Sequence, residues 1–176
     1  LILFSLASRG ELTLRLAAVD LRKIAGDIIV RALPKADDKQ IRLSTDFEAS
    51  LPLVMADEQK ITWVLTQLLD NAIKFTPAGG QVVLEAKKDV SVEMIRVAVT
   101  DTGIGIPEER FTEIFEPFHQ LDGSSTRRYG GTGLGLSLVK QIVEAHGSIV
   151  RVKSEPEKGS TFSFPLLSAA SEKGGA

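Results

Sequence analysis

Cysteine is absent from the 176 residues, which excludes disulfides and thiolate metal sites and suits a reducing compartment. Histidine is scarce: His119 and His146 are too few and too isolated for a zinc cluster. Positive charge is not in excess, and a net charge of -2 offers no basic surface for nucleic acid. Long apolar runs are missing too. The opening LILFSLA falls far short of the roughly 20 residues of a membrane span and lacks the layout of a signal peptide. The chain begins at Leu1 rather than Met, so a piece of something longer is expected. What remains is ordinary for a globular protein, 43% hydrophobic and 25% charged. The length suits one domain plus short extensions.

The pattern along the chain alternates helices with hairpins. LILFSLASRG reads as the last turns of a helix stopped by Gly10, and ELTLRL alternates like a strand. Asp20 is a good N-cap for a helix through Leu21, Ile24 and Ile28, which Pro34 is expected to end. IRLSTDF and LVMA are short strand candidates. Asp57 opens the most regular helix, with Ile61, Val64, Leu65, Leu68, Leu69 and Ala72 three and four apart. QVVLEAKK and MIRVAVTD predict a hairpin, PEERFTEIF a short helix, and SIVRVKS with STFSFPL a final strand pair. The tail 168–176 is small and polar, and disorder is expected there. The sum predicts a two-layer α/β sandwich, a mixed and mostly antiparallel sheet covered on one face by about three helices.

Three stretches invite chemistry. Gln67, Asn71 and Lys74 form a polar stripe beside the apolar face of the long helix, which alone reads more readily as a solvated flank. DTGIGIP puts Asp101 at a strand end, with Gly103 and Gly105 where backbone must pass close to something; a buried carboxylate there accepts hydrogen bonds from an amine, and a tight solvated turn is the plainer alternative. Gly130 to Gly147, GGTGLGLSLVKQIVEAHG, sets glycines before an amphipathic helix, whose unpaired N–H groups and dipole favour phosphate. It has no Walker ending and follows no strand as a dinucleotide fingerprint would.

In combination the signals are more specific. NAIKF, DTGIGIP, FEPF at Phe115 to Phe118 and GGTGLGL resemble, in order and spacing, the N, G1, F and G2 boxes of the sensor histidine kinase ATP-binding domain, within the gyrase, chaperone and histidine-kinase ATPase superfamily. The likeness runs from about Glu11 to Leu167, and AHGSIVRVKSEPEKGSTFSFPL resembles the family's ending. It implies the Bergerat-type ATP-binding fold, a remnant of a dimerisation-domain helix and linker at 1–10, the catalytic domain at 11–167 and the tail at 168–176.

The resemblance also implies roles. Asn71 would hold the Mg²⁺ that bridges the phosphates of ATP. Lys74 and Phe75 would supply a phosphate contact and a wall. Asp101 would accept from the adenine amine, Gly103 and Gly105 leave room for the base, and Ile106 pack on it. Thr132, Gly133, Leu134, Gly135 and Leu136 would approach the phosphates and close the pocket, with Thr161 near the adenine. Gln67 departs from the usual Asn, and it cannot serve as the water-activating base that a Glu provides in the ATPase branches. His119 and Gln120 stand where some members carry Arg, so Arg127 or Arg128 would face phosphate instead. Phosphoryl transfer needs mainly positioning and charge neutralisation. The implied partners are a histidine-bearing dimerisation domain of the same kinase and, through it, a response regulator; neither His119 nor His146 sits in an acceptor motif. The fragment itself is expected to be monomeric, with no membrane insertion and no nucleic acid. A nucleotide-binding interaction module and a water-activating ATPase remain as alternative readings.

Overall fold

The computed structural model describes residues 12–89, 91–117 and 135–169. In chain order they form β1 (Ala17–Val19), α1 (Leu21–Asp38), β2 (Arg42–Phe47), β3 (Val54–Ala56), α2 (Glu58–Phe75), β4 (Gln81–Asp89), β5 (Met94–Asp101), two short 3-10 turns (Glu108–Arg110 and Glu113–Phe115), α3 (Gly135–Ala145), β6 (Arg151–Glu155) and β7 (Gly159–Leu167). Five strands make one sheet in the order β2-β4-β5-β7-β6, parallel only between β2 and β4, while β1 and β3 pair separately. The expected α/β sandwich is the observed one. No helix among the described residues is long and apolar enough to cross a membrane.

Period-two alternation decides which sheet face is dry. Val82, Leu84 and Ala86 of β4, Ile95, Val97 and Val99 of β5, and Phe162, Phe164 and Leu166 of β7 are buried on one side, where they join the apolar faces of the helices in a single core. The other side carries ion pairs such as Lys87 with Asp46 at 2.7 Å and Arg96 with Glu85 at 3.6 Å. Among the described residues, helices therefore cover one face only.

The helix starts follow from their caps. Asp20 accepts from the Arg22 N–H at 2.8 Å, and Asp57 accepts from the Lys60 N–H at 3.1 Å. Pro34 does not end α1. Its missing N–H deprives only the carbonyl of Val30, a residue 68% exposed, and the buried stripe continues through Ala32 and Ala36. Beyond the helix, Lys39 Nζ donates to the carbonyls of Ile73, Lys74 and Thr76 at 2.8, 2.9 and 3.0 Å. It thus ties the ends of α1 and α2 together, and burial lowers its pKa.

Other differences have similar causes. Residues 12–16, alternating in sequence, find no partner strand; the strand forms at Ala17–Val19, where β3 offers one, and Leu16 is left 55% exposed. PEERFTEIF gives 3-10 turns, with i to i+3 bonds from Arg110 to Pro107 and Glu116 to Glu113, both 3.0 Å. Ser168 and Ala169, assigned to the tail by composition, are fixed: their N–H groups bond the carbonyls of Glu93 and Leu53 at 3.0 and 2.8 Å.

His146, just past the end of α3, is held on both sides of its ring. Its Nε2 accepts the Asp57 N–H at 3.1 Å, which requires a neutral ring, so Nδ1–H is the donor to the Ile142 carbonyl at 2.7 Å. Both ring nitrogens are occupied in joining α3 to the start of α2. The Asp57 side chain, 5% exposed, completes the joint by accepting from the Arg15 N–H at 2.9 Å and from Lys60 Nζ at 2.8 Å. Burial pushes its pKa up, but the bonds from Arg15 and Lys60 and the Lys60 charge outweigh this, leaving it lowered. A lowered carboxylate stabilises the fold above its unfolded pKa of about 3.9, and the contribution is lost as pH falls through the folded value. Asp57→Ala should cost about 2 kcal/mol in urea unfolding at pH 7, and the gap to wild type should close in acid.

Candidate functional site

The apolar stripe of α2 faces the core, and so its rotation is fixed and Gln67, Asn71 and Lys74 lie half-buried along its margin. No other described group uses up the side-chain amides of Gln67 and Asn71. Lys74 Nζ lies 5.1 Å from the centroid of the Phe75 ring, and burial lowers its pKa.

At the end of α2 the Phe75 carbonyl accepts the Ile104 N–H at 3.1 Å, fastening the helix to the loop after β5. That approach explains Gly103: a Cβ there would lie 2.6 Å from the Phe75 oxygen and 2.7 Å from Asp101 Oδ1. Gly105, at φ 69°, would drive a Cβ into the carbonyl of Glu155 at the end of β6. Whatever space the two glycines leave for a base, the protein's own backbone already requires them. Ile106 is half-buried, and its N–H donates to Ser154 Oγ at 2.7 Å.

Asp101 is buried at the end of β5. Its Oδ1 accepts both the Gly103 N–H at 2.8 Å and the Ser160 N–H at 3.2 Å, while Oδ2 has no partner among the described residues. Burial raises the pKa of the carboxyl, and the two backbone donors oppose that rise. A fixed carboxylate with one free oxygen is what an exocyclic amine needs.

The start of α3 lies at the other end of the polar stripe. A Cβ on Gly135 would be 2.9 Å from Gln67 Oε1, so the glycine lets Gln67 reach the N-terminus of α3, the end at which a helix dipole favours anions. Leu136 is half-buried against the core. The fold thus brings the α2 stripe, the Asp101 loop and Gly135 together. Thr132, Gly133, Leu134, Arg127, Arg128, His119 and Gln120 lie outside the described residues.

Residues 56–170 match the family described as Histidine kinase-, DNA gyrase B-, and HSP90-like ATPase. The chain belongs to this ATPase family. The adaptive-response sensory kinase SasA of Synechococcus sp. is 40% identical over 159 residues, covering 90% of this chain and 41% of that protein. Full-length ShkA, solved in complex with AMPPNP, is 30% identical with a TM-score of 0.84 over 96% of this chain and 35% of that one. The catalytic domain of histidine kinase ThkA is 27% identical with a TM-score of 0.76, covering 88% of this chain and 97% of that one. This histidine kinase ATPase domain spans less than half the length of such curated relatives.

Thr161 is the one described site residue of this ATPase domain that the structure separates from the rest. Asp101 pairs with Ser160 and Thr100 with Thr161, so Thr161 points to the opposite sheet face and its Oγ1 lies 3.0 Å from that of Thr100. Ser160, and not Thr161, shares the sheet face of Asp101. Sequence reasoning also missed Ser154, whose hydroxyl meets Ser160 Oγ at 2.7 Å. The signal was parity, since in STFSFPL the buried Phe162 and Phe164 share the face of Ser160 and not that of Thr161.

Proposed function

We propose that this domain binds Mg-ATP and passes the γ-phosphoryl to a histidine on a separate dimerisation domain, which in turn serves a response regulator. Asp101 Oδ2 accepts from the adenine amine, Ile106 and Phe75 flank the nucleotide, and Lys74 with the first turn of α3 neutralises phosphate charge. Thr132 to Leu136 approach the phosphates, with Arg127 or Arg128 adding charge. The residues present fit Mg²⁺: the described residues hold no cluster of three acidic or histidine ligands, and magnesium bound to nucleotide takes few protein ligands beside phosphate and water. Asn71, with its amide oxygen available, would hold it. Held there with the nucleotide, the ion would supply charge neutralisation for phosphoryl transfer.

The observation that carries the reading is Gln67 beside Gly135. An amide orients but takes no proton, so the position where an ATPase would keep a base favours transfer to another domain over hydrolysis. The same amide is compatible with a module that binds ATP only as a conformational ligand. Radiolabelled ATP with an added dimerisation domain tests the choice. Phosphohistidine is expected; tight binding without it would sink the kinase reading, and steady phosphate release by the isolated domain would favour an ATPase.

A further inference from the structure

The register of β5, β7 and β6 sets Asp101 opposite Ser160 and Ser160 opposite Ser154. The three polar side chains form one row on the helix-facing side of the sheet, at the strand ends where the Asp101 loop departs. Ser154 Oγ accepts the Ile106 N–H at 2.7 Å and donates to the Gly159 carbonyl at 2.9 Å. A serine hydroxyl has one proton. With that proton on Gly159, Ser154 meets Ser160 Oγ, 2.7 Å away, as an acceptor, and the Ser160 proton points at Ser154. Ser160 is thereby left with lone pairs alone for any further partner.

We propose that Ser154 is a specificity-determining positioning residue. By fixing as an acceptor the hydroxyl of Ser160, the residue directly opposite Asp101 on the same sheet face, it makes the base site a pair of acceptors. An exocyclic amine carries two N–H groups and suits such a pair, whereas a carbonyl in the same place faces lone pairs on both sides. Without Ser154, the Ser160 hydroxyl is free to rotate and donate, and a carbonyl is no longer refused. The same Ser154 hydroxyl, through Ile106 and Gly159, holds the Asp101 loop against the β6–β7 turn. The inference rests on the reading that Asp101 meets the amine of adenine.

The test is calorimetric competition between ATP and inosine triphosphate, whose base carries a carbonyl in place of the amine, on the 176-residue chain with Mg²⁺. Ser154→Ala should lower the preference for ATP by about three- to tenfold, and Ser154→Thr, which keeps the hydroxyl, should restore it. Ser160→Ala leaves the Ser154 bonds to Ile106 and Gly159 in place and should lower the preference by a similar factor, so the idea stays testable if Ser154→Ala folds poorly. A purely structural role would weaken both nucleotides alike; an unchanged ratio in Ser154→Ala or Ser160→Ala overturns the proposal. Asp101→Asn, run in parallel, separates the two levels. An unchanged ratio there refutes the base-site reading itself, while a collapsed ratio there beside an unchanged one in Ser154→Ala refutes only the role of Ser154.

Discussion

Asp101→Asn should lower the affinity for ATP by about 10- to 100-fold, the worth of a hydrogen bond to a charged group, and should turn the preference toward bases with a carbonyl at the same place. The reason is the fixed use of Oδ1. Because the N–H groups of Gly103 and Ser160 both point at that atom, an asparagine keeps its oxygen there and puts its NH₂ where Oδ2 stood. A donor then faces the amine of adenine and suits a carbonyl instead. Equal binding of ATP and its carbonyl analogues by the wild type would undermine the assignment. Acid should act in the same direction as the substitution. Burial raises the Asp101 pKa, so protonation, and with it the loss of ATP binding, should set in at a higher pH than the ordinary carboxylate value of about 3.9.

The stability of the nucleotide-free protein distinguishes this from damage to the fold. A carboxyl with a raised folded pKa binds its proton more tightly in the folded state than in the unfolded one. Stability therefore falls as pH rises from the unfolded value through the folded one, and the carboxylate is a net cost at neutral pH. Asp101→Asn keeps the acceptor for both backbone donors and removes the buried charge. Its melting temperature without nucleotide should equal or exceed that of the wild type, while binding collapses. A variant that lost both together would point to a structural role.

The parts of the fold that could be read from the sequence are those where local pattern and tertiary burial agree. The helix from Asp57 was legible because its cap and its three-and-four spacing name the same start and the same buried face. The hairpin of β4 and β5 was legible for the corresponding reason at period two. Leu12, Leu14 and Leu16 have the right period but no neighbouring strand, and strand pairing is non-local information. Pro34 was misread because one missing hydrogen bond on an exposed side is outweighed by the buried stripe that runs past it from Ala32 to Ala36. At the candidate site, Asn71 and Asp101 are expectations from motif spacing. The alignment of Ser160 and Ser154 with Asp101 could not be found that way, since it lies in a cross-strand register that one residue of slip would reverse. Thr161 was chosen over Ser160 for that reason: the motif names the strand, and only the pleat names the face.

Asn71→Ala should abolish the magnesium-dependent part of nucleotide binding. Asn71 projects from the half-buried margin of α2, and its side chain has no partner among the described residues. Its removal leaves no orphaned group, and alanine is the better helix former. The nucleotide-free protein should melt at the wild-type temperature or slightly above. Affinity for ATP in Mg²⁺, however, should fall by roughly two orders of magnitude, to the value the wild type shows in a chelator, because the variant loses the only amide oxygen assigned to the metal. Calorimetry with and without Mg²⁺ makes the claim specific. If Asn71 merely touched the phosphates, the substitution would weaken binding by the same factor in both conditions, and an unchanged affinity in Mg²⁺ would contradict the metal role outright. Gln67 is a useful counterpart on the same helix face. It stands next to Gly135 rather than at the Asn71 position, so Gln67→Ala should leave most of the magnesium dependence intact, and the contrast between the two variants would locate the metal along α2.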